Sequence, residues 1–225
     1  QTISDWEWIV TDDCSHDGTY QLLLEIEKSD KRVKVHQNSK NLGAAISRNV
    51  SINSASGEYL AFIDSDDMWH STKLETQLAF MEKNKFNFSF TSYEVISQNS
   101  ETSGVFVDIQ TSMLSFSYED MLRKKATLGC STVMLKSSAF PKIEMPNLRT
   151  GQDYATWLSL LKTGENAHLL PQVLTQYRIV KGSISRNKFK KALRQWSIYR
   201  QVENLSLAKS FLCFSNYAFN AVFRK

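Results

Sequence analysis

The chain has 225 residues, 42% of them hydrophobic and 12% aromatic, enough for one good-sized domain that buries its own core without staples. Its three cysteines, Cys14, Cys130 and Cys213, are odd in number and show no C-x-x-C spacing; this argues against a disulfide framework or a zinc site and for a reducing compartment. Nothing reads as a signal peptide, and no run of eighteen uncharged apolar residues marks a membrane span. The net charge of +4 is divided unevenly, with +9 from Lys181 onward and −5 before it. An acidic body with a basic tail suits an anionic surface as partner, and equally a solvated helical face.

In chain order, Trp6 to Val10 predicts a short buried strand ended by Asp12 and Asp13, followed by a helix carrying Leu22, Leu23 and Ile26. A second strand, Val33 to His36, leads through Asn41-Leu42-Gly43 to a helix with an apolar stripe of Leu42, Ile46 and Val50. Its polar face presents Arg48. A third strand, Tyr59 to Asp64, runs straight into Ser65, Asp66 and Asp67, and a helix with Leu74, Leu78 and Met81 follows. This alternation predicts an α/β domain with a largely parallel sheet, whose ligands bind beyond the carboxyl ends of the strands. The acid pair Asp12 and Asp13 and the acids Asp64 to Asp67 are then expected to face one crevice.

Three carboxylates at the end of a buried strand repel one another and call for compensation. A hard divalent cation, Mn²⁺ or Mg²⁺, supplies it, because such ions take oxygen ligands from one or two carboxylates and fill the rest with water and phosphate. A solvated acidic turn or a helix cap before the next helix is the plainer reading of the same residues.

Beyond Lys85 the pattern is less periodic. Strands are expected at Phe86 to Phe90, Val105 to Val107, Thr132 to Leu135 and Thr175 to Ile179. A helix from Gln152 should bury Trp157, Leu158 and Leu161 and carry Asp153 in its first turn; two last helices are expected over Lys188 to Glu203 and Leu205 to Phe223. In the last of these, Leu207, Phe211, Phe214, Ala218 and Val222 recur at helical spacing, with Ser206, Lys209, Asn216, Asn220 and Arg224 opposite. Such a helix suits a membrane interface, and also packing on the domain or on a second subunit. Trp69 and Trp157 are read as core by default, with the lining of a ligand site as the alternative, and the four histidines are scattered and assigned no role.

Four separated stretches agree in order and spacing: Trp-Glu-Trp-Ile-Val-Thr-Asp-Asp-Cys-Ser-His-Asp-Gly-Thr from Trp6, Asn-Leu-Gly-Ala-Ala-Ile-Ser-Arg-Asn from Asn41, Gly-Glu-Tyr-Leu-Ala-Phe-Ile-Asp-Ser-Asp-Asp from Gly57, and Gln-Asp-Tyr-Ala-Thr-Trp-Leu from Gln152. Over about residues 5 to 185 the chain resembles the family-2 glycosyltransferases. Through Leu-Gly-Cys-Ser-Thr-Val-Met and Tyr-Arg-Ile-Val-Lys-Gly-Ser-Ile-Ser it is most similar to bacterial enzymes that build surface polysaccharides, of the teichuronic-acid and O-antigen kind.

The resemblance implies a GT-A fold over residues 1–185 with a basic, amphipathic helical extension over 186–225. It also implies a nucleotide-diphosphate sugar donor, expected to be a UDP-sugar, a divalent metal, and transfer with inversion to a saccharide or lipid-linked saccharide acceptor. Asp13 matches the acid that hydrogen-bonds the uracil ring, supported by Asp12, and Arg48 the basic residue near the base and diphosphate. Asp64 and Asp66 stand in the Asp-x-Asp motif, with Asp66 or Asp67 as metal ligand. Asp153 matches the catalytic base, in a motif that here reads Gln152-Asp153. A cytoplasmic enzyme follows, peripheral on the inner face of the membrane if its last helix binds lipid, with a homodimer as a further expectation and no nucleic-acid partner. A nucleotide-sugar pyrophosphorylase would want a Gly-rich phosphate loop, which is absent; a noncatalytic carbohydrate-binding module leaves the converging acids unexplained.

Two departures stand out. The family's first strand, ending in Pro-x-Tyr/Phe-Asn, has no counterpart, and Gln1 corresponds to the end of the helix after it. Losing an interior strand orphans ladder hydrogen bonds, so the chain is expected to be a fragment or to receive that strand from elsewhere. Relatives often carry His after the Tyr-Arg pair where this chain has Val180, and Lys181 or Arg186 is the expected substitute.

Overall fold

The computed structural model describes residues 1–109, 112–180 and 188–223. The first half alternates as its hydrophobic periods dictate: β1 (Trp8–Asp12), α1 (Thr19–Ser29), β2 (Val33–Gln37), α2 (Ala44–Ser54), β3 (Tyr59–Ala61), β4 (Met68–Trp69) and α3 (Lys73–Asn84). The second half holds β5 (Phe88–Ile96), β6 (Thr102–Val107), β7 (Ser115–Phe116), α4 (Tyr118–Leu122), β8 (Val133–Lys136), α5 (Gln152–Leu161), β9 (Ala167–Arg178), α6 (Lys188–Ser197) and α7 (Leu207–Phe223).

The strands form two sheets. β1 and β2 pair in parallel as a two-stranded unit, while the other strands make a seven-stranded sheet in the order β3-β8-β5-β9-β4, with β6 added to β5 and β7 to β9. The sheet is mixed rather than largely parallel: β5 and β9 run parallel, and its remaining ladders are antiparallel. The β5–β6 return is a short hairpin, which forces antiparallel pairing, whereas α5 carries the chain on toward β9 and allows parallel pairing. β3 is shorter than its apolar run because Phe62 and Ile63 leave the ladder toward a turn in which the Asp64 amide donates to Ser131 Oγ at 3.0 Å.

One apolar core lies under the large sheet. Phe88, Phe90, Val133, Leu135 and Leu169 from the strands meet Trp157, Leu158 and Leu161 of α5, and Phe62 and Phe88 both approach Trp157 edge-on at 5.4 and 5.7 Å. Ile198, Tyr199, Leu205 and Cys213, all beyond residue 185, belong to the same cluster. Behind β4, the buried Lys73 lies over the Trp69 ring and donates to Gln77 at 2.7 Å, and Gln77 in turn donates to the Thr132 carbonyl at 3.0 Å. Burial pushes the Lys73 ammonium down to about 7.

The last helix differs from its sequence reading in one respect. Phe214 turns inward against Trp196 and the core, because Lys209, Ser210, Cys213 and Asn220 dock α7 on the body, Lys209 through Glu119 at 2.5 Å and Asn220 through the Arg123 carbonyl at 2.8 Å. Leu207, Phe211, Leu212 and Phe219 are left 60%, 63%, 56% and 61% exposed. The side chain of Val222, and Arg224, lie outside the described residues. No helix is long and apolar enough to cross a membrane among the described residues.

Candidate active site

A cleft of about 680 Å³ opens where the β3–β4 turn, the segment before β8 and the start of α5 converge. Arg48, Asp64, Asp66, Asp67 and Asp153 all line it. One ligand oxygen from each of Asp64, Asp66 and Asp67 falls within 4.8 Å of the others, a spacing at which three like charges need a cation or a proton between them.

The three acids are not equivalent. Asp67 is buried and fully engaged, accepting from the Ser131 hydroxyl at 2.6 Å and from the Arg178 amide at 2.9 Å. Burial, reinforced by Asp64 and Asp66 and opposed by those two bonds, pushes its carboxyl up to about 6. Asp64 accepts from Arg48 Nη2 at 2.5 Å. The exposed Asp66 has no hydrogen bond to its carboxylate among the described residues, so its oxygens are the ones open to a ligand. The cluster therefore fits a hard divalent ion, with Asp66 offering free lone pairs, Asp64 beside it and Asp67 bracing the turn.

Arg178 is what keeps this turn closed. Its Nε donates to the Asp66 carbonyl at 2.7 Å, while Nη1 donates to the Ser97 and Gln98 carbonyls at 3.2 and 3.0 Å, tying the acids to the β5–β6 connection. Arg48 stands between the first acid and the helix opposite: Asp64 and Asp153 both hold its guanidinium above its ordinary value against the burial that opposes it, and its Nη1 is buried with no partner among the described residues.

Asp153 is the second residue of α5, just beyond Gly151, whose φ of 78° sets the turn into the helix. Burial pushes its carboxyl up, with Arg48 and Arg194 pulling the other way and Asp64 adding to the rise. A raised carboxyl in the same cleft as a three-carboxylate cluster has the chemistry of a proton acceptor.

Asp12 and Asp13 stand apart from this cleft. Asp13 Oδ1 accepts from Asn38 Nδ2 and the Leu42 amide, and Oδ2 from the Gly43 amide, each at 2.8 Å; Asp12 accepts from the Ser15 amide at 3.0 Å and Gln37 at 3.1 Å. Desolvation works to raise both carboxyls, but these bonds hold them below the usual range. Asp13 pins the end of β1 to the start of α2, the helix that carries Arg48, and Asp12 pins it to the end of β2. Trp69 and Trp157 do not line the cleft; Trp69 Nε1 donates to the Ser131 carbonyl at 2.7 Å and Trp157 is core. Lys181 and Arg186 lie outside the described residues.

A family model for "Glycosyl transferase family 2" matches residues 1–136, more than half of the chain. The chain belongs to this family. The family 2 enzyme is 45% identical over 217 residues to a Bacillus subtilis (strain 168) glycosyltransferase assigned to teichuronic acid biosynthesis, TuaG, covering 96% of this chain and 84% of that protein. It is 38% identical over 212 residues to the Escherichia coli UDP-Glc:alpha-D-GlcNAc-diphosphoundecaprenol beta-1,3-glucosyltransferase WfgD, covering 94% and 80%. Among solved structures it is similar to Staphylococcus aureus TarS 1-349 in complex with UDP-GlcNAc, at a TM-score of 0.69 and 19% identity over 97% of this chain. It also matches the Pyrobaculum calidifontis mannosyltransferase PcManGT with GDP-Man and Mn²⁺, at 0.66 and 13% over 96%. It spans 64% and 61% of those two chains. The likeness shows the fold, which is GT-A.

Ser131 and Arg178, which hold the acidic turn of this family 2 enzyme, were not assigned roles by sequence. Both sit inside stretches that carried the resemblance, but a serine and an arginine report a partner only once the chain has brought that partner near. Arg149, Lys191 and Arg194, which also line the cleft, lie outside those stretches and were likewise assigned no role.

Proposed function

We propose that this chain is a metal-dependent, inverting glycosyltransferase that moves a sugar from a UDP-sugar to a hydroxyl of a lipid-linked saccharide in surface polysaccharide assembly. The observation that carries the reading is the joint lining of one cleft by a three-carboxylate cluster and by Asp153. Asp66 is the direct ligand of Mn²⁺ or Mg²⁺, Asp64 supports it, and Asp67 holds the turn. Bound there, the ion would offset the charge left on the departing diphosphate. Arg48 adds a fixed positive charge beside Asp64, and Asp12 and Asp13 fix the loop that meets the base of the nucleotide.

Asp153 takes the proton from the acceptor hydroxyl. A sugar hydroxyl is a weak nucleophile until a carboxylate does so, and general-base assistance of this kind is worth about 10² to 10⁴ in rate. Asp153→Asn is expected to keep UDP binding by calorimetry and to lose transfer by about that factor; near-intact transfer overturns the assignment. Because its carboxyl is raised, the rate should begin to fall at a pH above the ordinary Asp value of 3.8 as the base takes up a proton.

The exposed face of α7 meets an anionic membrane surface. Residues 188–223 carry six Lys or Arg against one acid, Glu203, which is buried against Lys162 at 2.6 Å, so the net charge of the segment that holds the apolar stripe is basic. Co-sedimentation with anionic vesicles should drop in Phe211→Ser/Phe219→Ser; unchanged binding, or a dimer in light scattering that this variant abolishes, assigns the face to something other than lipid.

A further inference from the structure

The cleft has a second wall that the metal and the base do not use. It is lined by Lys124, which follows α4, by Arg149 in the loop before α5, and by Lys191 and Arg194 of α6. Among the described residues, none of Arg149, Lys191 and Arg194 has a carboxylate within ion-pair distance, whereas nine other basic side chains do. The Nε of Arg194 is buried and without a partner among the described residues. Burial and the adjacent Arg194 together push the Lys191 ammonium down. Cations crowded together and partly desolvated are costly, and an anion bound between them relieves the cost.

The wall also has a fixed relation to the base. A Cβ on Gly151 would lie 3.0 Å from Arg194 Cδ and 3.2 Å from its Nε, so the guanidinium stem packs on the turn that leads into Asp153. Arg194 acts on the Asp153 carboxyl for the same reason. The N-terminus of α5 has no side-chain cap and adds its positive end to the same side.

We propose that Lys124, Arg149, Lys191 and Arg194 form the acceptor's anion site, which holds the diphosphate of a sugar-diphosphate lipid while a hydroxyl of that sugar reaches Asp153. The proposal rests on the transferase reading and deepens it. It makes the acceptor a saccharide still close to its lipid diphosphate, since a remote chain end would leave the wall without an anion. The donor's diphosphate belongs to the carboxylate side, where Asp66 and Asp64 would hold the divalent ion that offsets its charge. Lys124 reaches the wall over the Tyr217 ring, 4.9 Å from its centroid, which brings α7 to the rim of the same site.

The test uses the full chain with Arg149→Gln and Lys191→Gln, singly and together, substitutions that keep Arg194 and its packing in place. Without metal ion the carboxylates repel phosphate, so calorimetric binding of geranyl diphosphate reports the basic wall alone. The wild type should bind it, the double variant about 10- to 100-fold more weakly, as expected for loss of charged hydrogen bonds, and added UDP should not displace it. No binding by the wild type, equal binding by the variants, or displacement by UDP each overturns the site. In transfer assays with metal, the double variant should raise KM for a lipid-diphosphate sugar by about the same factor and leave KM for the matching alkyl glycoside unchanged. Equal losses with both acceptors also overturn it. A wild type that transfers to neither acceptor, yet binds geranyl diphosphate as the charges dictate, sinks the transferase reading and leaves the anion site standing.

Discussion

The two sheets are held by different forces. Residues up to Gly57 bury only Leu23, Val33 and Ala45 among apolar side chains, against three buried polar ones, Asp12, Asn38 and Ser47. The seven-stranded body buries the aromatic cluster around Trp157. The first unit is organised by carboxylates: Asp13 ties the Leu42 and Gly43 amides, and Glu7 accepts from Lys34 at 2.6 Å and from the Ser56 and Gly57 amides. It meets the body through Ala45 and Ile52 of α2, which join the aromatic core, and through polar contacts such as Asn49, which exchanges two 2.8 Å bonds with the Met145 backbone. Apolar burial is non-directional and sums with area, while a hydrogen-bonded turn is lost when one acceptor goes. The first unit should therefore open at a lower free energy than the body that carries the acids and the base.

Trp157→Ala attacks the body and should have the largest effect, about 3 to 5 kcal/mol, the usual cost of emptying a large aromatic site. Denaturant unfolding should show it as one global loss. Asp13→Ala should cost about 2 to 3 kcal/mol by stranding several donors, and hydrogen exchange should show the loss in β1, β2 and α2 with β5 and β9 still protected. If protection falls equally in both sheets, the two are one cooperative unit and the contrast fails.

Asn49→Ala cuts a polar link between them. It should cost about 1 kcal/mol and widen the gap in exchange rates between the sheets. The smallest effect is that of pH. Glu7 is lowered to about 2, first by its hydrogen bond with Lys34 and then by the Ser56 amide. A depressed carboxyl gives stability that is present above its unfolded value near 4.5 and is lost as pH falls toward 2. The first unit should loosen over that window, as seen by exchange at its amides, and Glu7→Gln should remove the dependence.

Much of the fold was legible because it is periodic. The runs of β1 and β2 fall within two residues of their predicted bounds and the apolar repeats of α1, α3 and α5 lie on helices, since side-chain spacing alone decides which face can be buried, whereas β5 runs on to Ile96, six residues past its predicted end. Strand direction in the large sheet was not legible. Thr132 to Leu135 reads the same whether it pairs parallel or antiparallel, and only its neighbours β3 and β5 choose.

The acids Asp64, Asp66 and Asp67 were named by residue type and order, Asp153 and the cation Arg48 through the family resemblance, and the chain brings all five to one cleft. Their division of labour was not in the order. Sequence left Asp66 and Asp67 interchangeable; the approach of Ser131 and the Arg178 amide, 64 and 111 residues away from Asp67, engages one and leaves the other open. The exposed stripe of α7 was likewise decided by what lay opposite, when Glu119 and the Arg123 carbonyl drew the polar side of the helix inward. What the sequence determined by itself is which residues can form a helix, a strand or a ligand set, because those depend on spacing along the chain. Which of them is bonded, buried or left facing the cleft depends on partners far away in sequence, and only the tertiary structure supplies those.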